Sequence, residues 1–171
     1  HSFIPEIGED KAAFWARVNG DAAKLGADNI LIYMHEMVKA AQRKDKPFRR
    51  EDIARHGERI SFFDGVADVW FERMRRFGAS CGVDVLHYII SSGLKEMIQA
   101  CAIGGEFDAI FASEFKYNAD DVPVWAASAV NYTNKTQFLF RINKGELDLS
   151  DHAGVNKYVA EDDRPVPFRN M

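Results

Sequence analysis

The stretch HYIISSGLKEMI, residues 87–98, places two serines and a glycine between an apolar run and an amphipathic segment. This pattern predicts a buried strand that ends near Ser91 and is followed by a helix. In open α/β sheets, ligands bind at the carboxyl ends of strands, and the next helix offers unpaired N–H groups to anions. The hydroxyl of Ser91 and the amides of Ser92 and Gly93 are therefore a candidate phosphate site. The alternative is an ordinary helix cap with turn-forming residues.

Tight anion binding also needs a full positive charge, because a helix dipole contributes only ~0.3–1 kcal/mol. Lys135 is the candidate cation, in the segment AVNYTNKTQFLFRINKG, residues 129–145. The alternative is a solvated surface lysine. Apolar residues alternate in this segment as in a strand, whereas Asn143-Lys144-Gly145 is typical of a helix C-terminus, so both structures stay open.

The elements that must position these residues change in character near residue 60. Apolar residues in 8–57 recur at three- and four-residue steps, which predicts two or three short helices. Asp28 is expected to cap one of them. The second helix is expected to end at Lys44-Asp45-Lys46-Pro47, because proline disfavours a helical residue before it.

From residue 61 the pattern alternates between helix and strand. A first helix is followed by apolar runs at 85–90 and 109–112, with a helix at 94–102 between them and a loop at 114–117. This order is typical of an α/β sheet with crossover helices, and the apolar run 85–90 favours a parallel strand covered on both faces. The residues predicted to form the buried stripe of the first helix are Val66, Val69, Trp70, Met74 and Phe77.

Composition narrows the class of protein. The chain has 171 residues, 47% hydrophobic and 28% charged, with a net charge of −4. There is no basic excess to favour nucleic acid as a partner, and no apolar run approaches the roughly 18 residues of a membrane span. Cys81 and Cys101 form no CxxC motif, so we expect free thiols in a reducing, cytoplasmic compartment.

Several other residues resemble sites but are expected to be structural. His35-Glu36 begins like a zinc-protease HExxH motif, but Lys39 stands at the second histidine position. His87 is expected to be a buried, hydrogen-bonded histidine. The residues predicted to pack in the protein interior as large aromatic side chains are Trp15, Trp70 and Trp125.

Three segments together carry a family resemblance. HYIISSGLKEMI, FDAIFASEF (107–115) and AVNYTNKTQFLFRINKG resemble the central part of haloacid-dehalogenase-like (HAD) hydrolases, close to the phosphoserine-phosphatase-like branch, over residues 62–145. The resemblance implies a Rossmann-like three-layer α/β core with a parallel sheet, here partial. In that superfamily a serine or threonine after the second core strand binds the transferring phosphoryl group. A lysine at the start of a later helix neutralises its charge.

These family positions correspond to Ser91, with Ser92 and Gly93 in the following turn, and to Lys135. The resemblance thus implies a small phosphorylated substrate and a magnesium ion as cofactor. It also implies that residues 1–60 form an all-helical cap region and residues 61–171 the partial α/β core. An ordinary helical subdomain with no role in substrate binding is the alternative for residues 1–60.

Two family motifs have no match in this sequence. The family's nucleophile and general acid are the aspartates of DxDx[TV], and the chain contains no Asp-x-Asp. The distal GDxxxD motif is also missing, and the Asp162-Asp163 pair has polar flanks typical of a loop. Phosphoryl transfer of this kind needs an attacking carboxylate, a carboxylic acid and Mg²⁺. We therefore expect the nucleophile and the magnesium ligands outside this chain, and no phosphatase activity from the chain alone. The alternative is a non-catalytic HAD-derived module that binds a phosphorylated ligand or a protein.

Overall fold

The computed structural model describes residues 3–151 of the chain. Its first part is helical: α1 is Phe3–Glu6, α2 is Lys11–Leu25, α3 is Asn29–Arg43 and α4 is Arg50–Glu58. The prediction of two or three helices in residues 8–57 is confirmed, because α2, α3 and α4 lie in that range, and α1 precedes it.

Capping residues explain where the two long helices begin and end. The Asp10 carboxylate accepts a hydrogen bond from the Ala13 N–H at 2.8 Å. The Asp28 carboxylate accepts hydrogen bonds from the N–H groups of Ile30 and Leu31, which satisfies amides that have no partner within the helix. The helix α3 ends at Arg43, directly before the Lys44-to-Pro47 segment. The predicted cap and the predicted end of this helix are both confirmed.

An α/β portion follows. A π-helical turn, Val66–Trp70, runs into α5, Phe71–Ser80. The strand β1 is Tyr88–Leu94, α6 is Lys95–Ala100, a 3₁₀ turn covers Gly104–Glu106, β2 is Ala109–Tyr117 and β3 is Pro123–Ser128. Mixed α/β architecture is therefore confirmed. The predicted loop at 114–117 is wrong, because these residues extend β2.

The three strands form one sheet in the order β1-β2-β3. The strand β1 is parallel to β2, with Tyr88 opposite Ala109, and α6 lies in the connection between them. The strand β3 is antiparallel to β2 and had not been predicted. The turn before it is held by the Asn118 side chain, whose Oδ1 accepts from the N–H groups of Asp120 and Val122.

The core joins the helical part to the sheet. Fully or nearly fully buried side chains from α2, α3, α4, β1 and β2 form one hydrophobic cluster that includes Phe14, Met34, Ile53, Leu94 and Phe115. The helix α4 packs on α6, and α3 packs against β3. The helical part and the sheet therefore share one hydrophobic core, although the sequence changes in character near residue 60.

The predicted burial of the first α/β helix is wrong, although the helix itself is present. Val69, Trp70 and Phe77 are 51%, 52% and 63% exposed. The helix instead turns Phe71 inward, where its ring meets His87 with 4.9 Å between the centroids. Trp125 is also largely exposed, on β3, so interior packing was wrongly predicted for it and for Trp70.

The chain divides into two compact units, one up to Asn131 and one from Tyr132 onward. The described part of the second unit contains α7, Lys135–Lys144. Gly145 ends this helix in the left-handed conformation, at φ 71°, and its N–H donates to the carbonyls of Arg141 and Ile142. The open choice between strand and helix for this segment is resolved as a helix.

Within residues 3–151, no helix combines the length and the apolar character that crossing a membrane requires.

Candidate functional site

The two serines and the glycine lie in a bulge inside β1. Ser91 is opposite Ala112 in β2, and the next paired residue, Leu94, is opposite Ser113. Ser92 and Gly93 are therefore extra residues on the β1 side, and such bulges redirect side chains and are over-represented next to active sites. The predicted break is present, but the strand starts at Tyr88 and continues through it instead of ending at Ile90.

The bulge is closed by its own hydrogen bond. The Ser91 Oγ accepts from the Gly93 N–H at 3.0 Å, in a serine turn. A Cβ at position 93 would lie 3.2 Å from the same oxygen, so glycine allows this close turn. Among residues 3–151 the Ser91 hydroxyl donates to no acceptor, so its proton can be donated to a ligand. An arriving anion would compete with the Ser91 oxygen for the Gly93 N–H.

Tyr33 connects this loop to the helical part of the first unit. Its hydroxyl, on α3, donates to the Ser92 carbonyl at 3.0 Å. Burial raises the pKa of Tyr33, and the negative charge of Glu96 raises it further, so the phenol keeps its donor proton at neutral pH. This contact could not be predicted from a local pattern, because its partners are 59 positions apart.

A cavity of about 360 Å³ lies between the loop and the helices. Its walls come from α1 to α4 on one side and from Ser92, Gly93, Leu94 and Met97 on the other. The lining is almost wholly apolar or aromatic: Phe3, Ile4, Phe14, Trp15, Ile30, Tyr33, Met37, Ile53, Leu94 and Met97, with Asn29, Ser92 and Gly93 as the remaining residues. The volume is within the range of small-molecule sites, about 300–1,000 Å³.

A lysine that the sequence reasoning passed over lies two residues after the loop. Lys95 begins α6, and its Nζ is 2.8 Å from Oε2 of Glu114 on β2. Both side chains are about one-third exposed, at 35% and 37%. Lys95 belongs to the quoted motif, and its position at the start of the predicted helix was the available signal. Its partner Glu114 already offsets its charge.

Behind this pair lies a buried carboxylate. Glu96 is only 6% exposed, and its Oε1 accepts from the Tyr117 hydroxyl at 2.6 Å. Its Oε2 is buried and has no hydrogen-bond partner among the described residues. Burial and the hydrogen bond to Glu96 raise the pKa of Tyr117, which therefore stays a donor. This interaction fastens α6 to β2.

Lys135, the predicted cation, is the first residue of α7 in the second unit. Its place at the start of a helix is as expected. It is half-buried and forms no ion pair with any residue in the range 3–151. Ser91, Ser92 and Gly93 are brought together in the first unit, whereas Lys135 belongs to the other one.

His87 does not have the environment expected for it. Its backbone N–H donates to Oδ2 of Asp108 at 2.6 Å, but its buried Nδ1 has no hydrogen-bond partner in the described part of the chain. The prediction of a fully hydrogen-bonded histidine was therefore wrong. The ring is held by its contact with Phe71 instead.

Metal-binding side chains are not clustered in the described part of the chain. Between residues 3 and 151, no group of three or more histidine, cysteine, aspartate or glutamate side chains is placed to hold a metal ion. The Asp162-Asp163 pair lies outside the described residues.

Comparison with known proteins gives one informative similarity. An uncharacterized protein of Borreliella burgdorferi is 21% identical over 185 residues, a match that covers 95% of this chain and 63% of that protein. The chain thus spans less than two thirds of the length of this curated relative. No family model matches the chain, and no solved structure matches it.

Proposed function

We propose that this chain contributes the phosphoryl-binding and substrate-covering parts of a HAD-like phosphohydrolase. The observation that carries the proposal is the position of the Ser91-Ser92-Gly93 bulge. The bulge lies close to the end of β1, which is parallel to β2, and only Leu94 separates it from α6. Ser92 and Gly93 line a cavity whose other walls are mainly helical. Ligand sites in open α/β sheets form at the carboxyl ends of parallel strands, and this is where a transferring phosphoryl group would be bound.

In this proposal the Ser91 hydroxyl donates to a phosphoryl oxygen, and the turn amides of Ser92 and Gly93 add further donors. By the family resemblance, the full positive charge that neutral hydroxyl and amide donors lack would come from Lys135. The helices of residues 3–58 act as the cap that covers the substrate. A Rossmann-like core would extend the parallel β1-β2 pair, and free Cys81 and Cys101 fit a cytoplasmic enzyme.

The chemical step needs groups beyond these. Hydroxyl, amide and ammonium groups bind a phosphoryl group and offset its charge, but hydrolysis also needs a nucleophile and a proton donor. An aspartate pair and a magnesium site outside this chain would supply them. In this proposal the chain is part of a phosphatase but does not hydrolyse phosphate esters by itself.

Phosphate binding tests the proposal directly. We expect inorganic phosphate, titrated into the ¹⁵N-labelled chain, to shift the amide signals of residues 91–94. The Ser91→Ala and Lys135→Met variants should each bind about tenfold more weakly, because each loses one charge-assisted hydrogen bond. Dissociation constants from the titration give the measurement.

Two control variants test whether the loss of phosphate affinity is specific to Ser91 and Lys135. Ser61→Ala changes an exposed serine and Lys39→Met an exposed lysine, and both should bind phosphate like the parent chain. Equal affinity in Ser91→Ala and in the parent would remove Ser91 from the site and overturn the proposal.

Catalysis is a separate prediction. The purified chain should show no turnover of 4-nitrophenyl phosphate above buffer in the presence of excess Mg²⁺, because a nucleophile and a proton donor are missing. The release of 4-nitrophenolate, followed by absorbance, is the measurement. Magnesium-dependent turnover that Ser91→Ala abolishes would show that the nucleophile lies within this chain.

A further inference from the structure

The cavity beside the serine loop restricts what a bound phosphate can be attached to. We infer that the site accepts phosphomonoesters of an uncharged, apolar alcohol of about the size of one or two rings, rather than phosphorylated sugars or amino acids. This inference rests on the proposed function, because it assumes that the loop binds the phosphoryl group.

The charge of the lining limits which ligands the cavity can accept. None of the residues that form the cavity wall carries a charged side chain. The ammonium and carboxylate groups of an amino-acid phosphate would lose their hydration there without gaining a partner, which is strongly unfavourable. A polyol would leave several hydroxyls unpaired in the same way.

The cavity wall also offers few hydrogen-bonding groups to a ligand. Tyr33 offers a hydroxyl at the wall, but it already donates to the Ser92 carbonyl at 3.0 Å. Asn29 donates to Asn19 Oδ1 at 3.3 Å. The other polar groups of the wall are the Ser92-Gly93 segment and the indole N–H of Trp15, which lies among aromatic rings. The polar end of a ligand is therefore expected at the loop and its apolar end among the helices.

Aromatic rings form part of the cavity wall. The rings of Phe14 and Trp15 are 5.4 Å apart and nearly perpendicular, and the Trp15 and Tyr33 rings follow at 5.8 Å. Such edge and face surfaces suit a flat ring at the centroid distances typical of aromatic pairs. The volume of about 360 Å³ is near the lower end for ligand sites and fits a ring system better than a nucleotide.

The test compares three ligands on the full chain: 1-naphthyl phosphate, glycerol 3-phosphate and 1-naphthol. We expect 1-naphthyl phosphate to bind at least about tenfold more tightly than glycerol 3-phosphate, because it buries a large apolar area. It should shift the NMR signals of both the serine loop and the cavity residues Trp15 and Ile30.

A pair of variants places the ring. Ile30→Phe fills part of the cavity and should weaken 1-naphthyl phosphate about tenfold while leaving inorganic phosphate unchanged. Leu31→Phe introduces the same aromatic side chain at the neighbouring position, which is 45% exposed and outside the cavity wall. It should change neither the affinity for 1-naphthyl phosphate nor that for inorganic phosphate. The comparison of ligands on the parent chain remains decisive even where Ile30→Phe folds poorly.

The outcomes distinguish this inference from the proposed function. Equal affinity for glycerol 3-phosphate and 1-naphthyl phosphate, with signal shifts in the loop alone, would overturn the inference and leave phosphate binding intact. Equal affinity for 1-naphthol and 1-naphthyl phosphate, with no shift at residues 91–94, would overturn both, because the cavity would then bind apolar molecules without a phosphate site.

Discussion

Replacing Gly57 with alanine is expected to lower the free energy of unfolding by about 3 kcal/mol, the upper part of the usual range for overpacking. Gly57 is buried on α4 where this helix meets α6. A Cβ there would overlap the Met97 carbonyl oxygen and lie 2.8 Å from the carbonyl carbon. The obstacle is backbone rather than the end of a flexible side chain, so the two helices would have to separate.

The same separation should reach the candidate site. The helix α6 begins directly after the serine loop, and Met97 also lines the cavity. We therefore expect Gly57→Ala to weaken phosphate binding as well as stability. Urea unfolding followed by circular dichroism gives the stability, and the phosphate titration gives the affinity.

Gly20 provides the matched control for this substitution. It lies inside α2, is exposed, and a Cβ at this position would meet nothing within 4 Å. Gly20→Ala should therefore stabilise the chain by about 0.5–1 kcal/mol, the difference between the two residues in a helix interior. A Gly57→Ala variant as stable as the parent would show that α4 and α6 do not pack as closely as described.

Local signals explain what could be predicted from the sequence. The Asp28 cap and the helix end before Pro47 each depend on residues within a few positions of one another. The serine break was found for the same reason, since a change of hydrophobic period is visible in a short window. The parallel pairing of β1 and β2 followed from the order of elements.

Long-range contacts explain what could not be predicted. The contact of Tyr33 with Ser92 and the pair Lys95–Glu114 join residues that are distant in sequence. The stripe of the helix at 66–77 was a sound pattern, but the orientation of that helix follows from the position of Phe71 against its aromatic neighbours. The cavity likewise depends on how four helices meet the loop, which no single segment encodes.

Glu36→Gln is expected to lower the free energy of unfolding by about 2 kcal/mol at pH 7. The Glu36 side chain, on α3, is 5% exposed and accepts from Arg17 Nε at 2.7 Å, with Arg43 Nη2 at 3.3 Å. Removing one partner of a buried ion pair costs about 3–5 kcal/mol of unfolding free energy. The expected loss is smaller here, because both arginines are about one-third or more exposed and solvent weakens their interaction with Glu36. The cluster joins α2 to α3, and these two helices carry much of the cavity wall.

The pH dependence of this stability has a definite sign. Burial opposes the ionisation of Glu36, but the hydrogen bond from Arg17 and the charge of Arg43 outweigh it and lower the pKa of Glu36 from its ordinary 4.5. A carboxyl whose pKa is lower in the folded state stabilises the protein above its unfolded pKa. That contribution is lost as the pH falls below about 4.5 and through the folded value. The difference between the parent and Glu36→Gln should therefore shrink at pH 3.

Urea unfolding at pH 7 and at pH 3 measures this difference, with Glu58→Gln as the control. Glu58 is exposed and forms no ion pair with the residues in 3–151, so its variant should stay within about 0.5 kcal/mol of the parent at both pH values. An equal loss in Glu36→Gln at pH 7 and pH 3 would mean that side-chain shape, and not the carboxylate charge, stabilises the pair of helices.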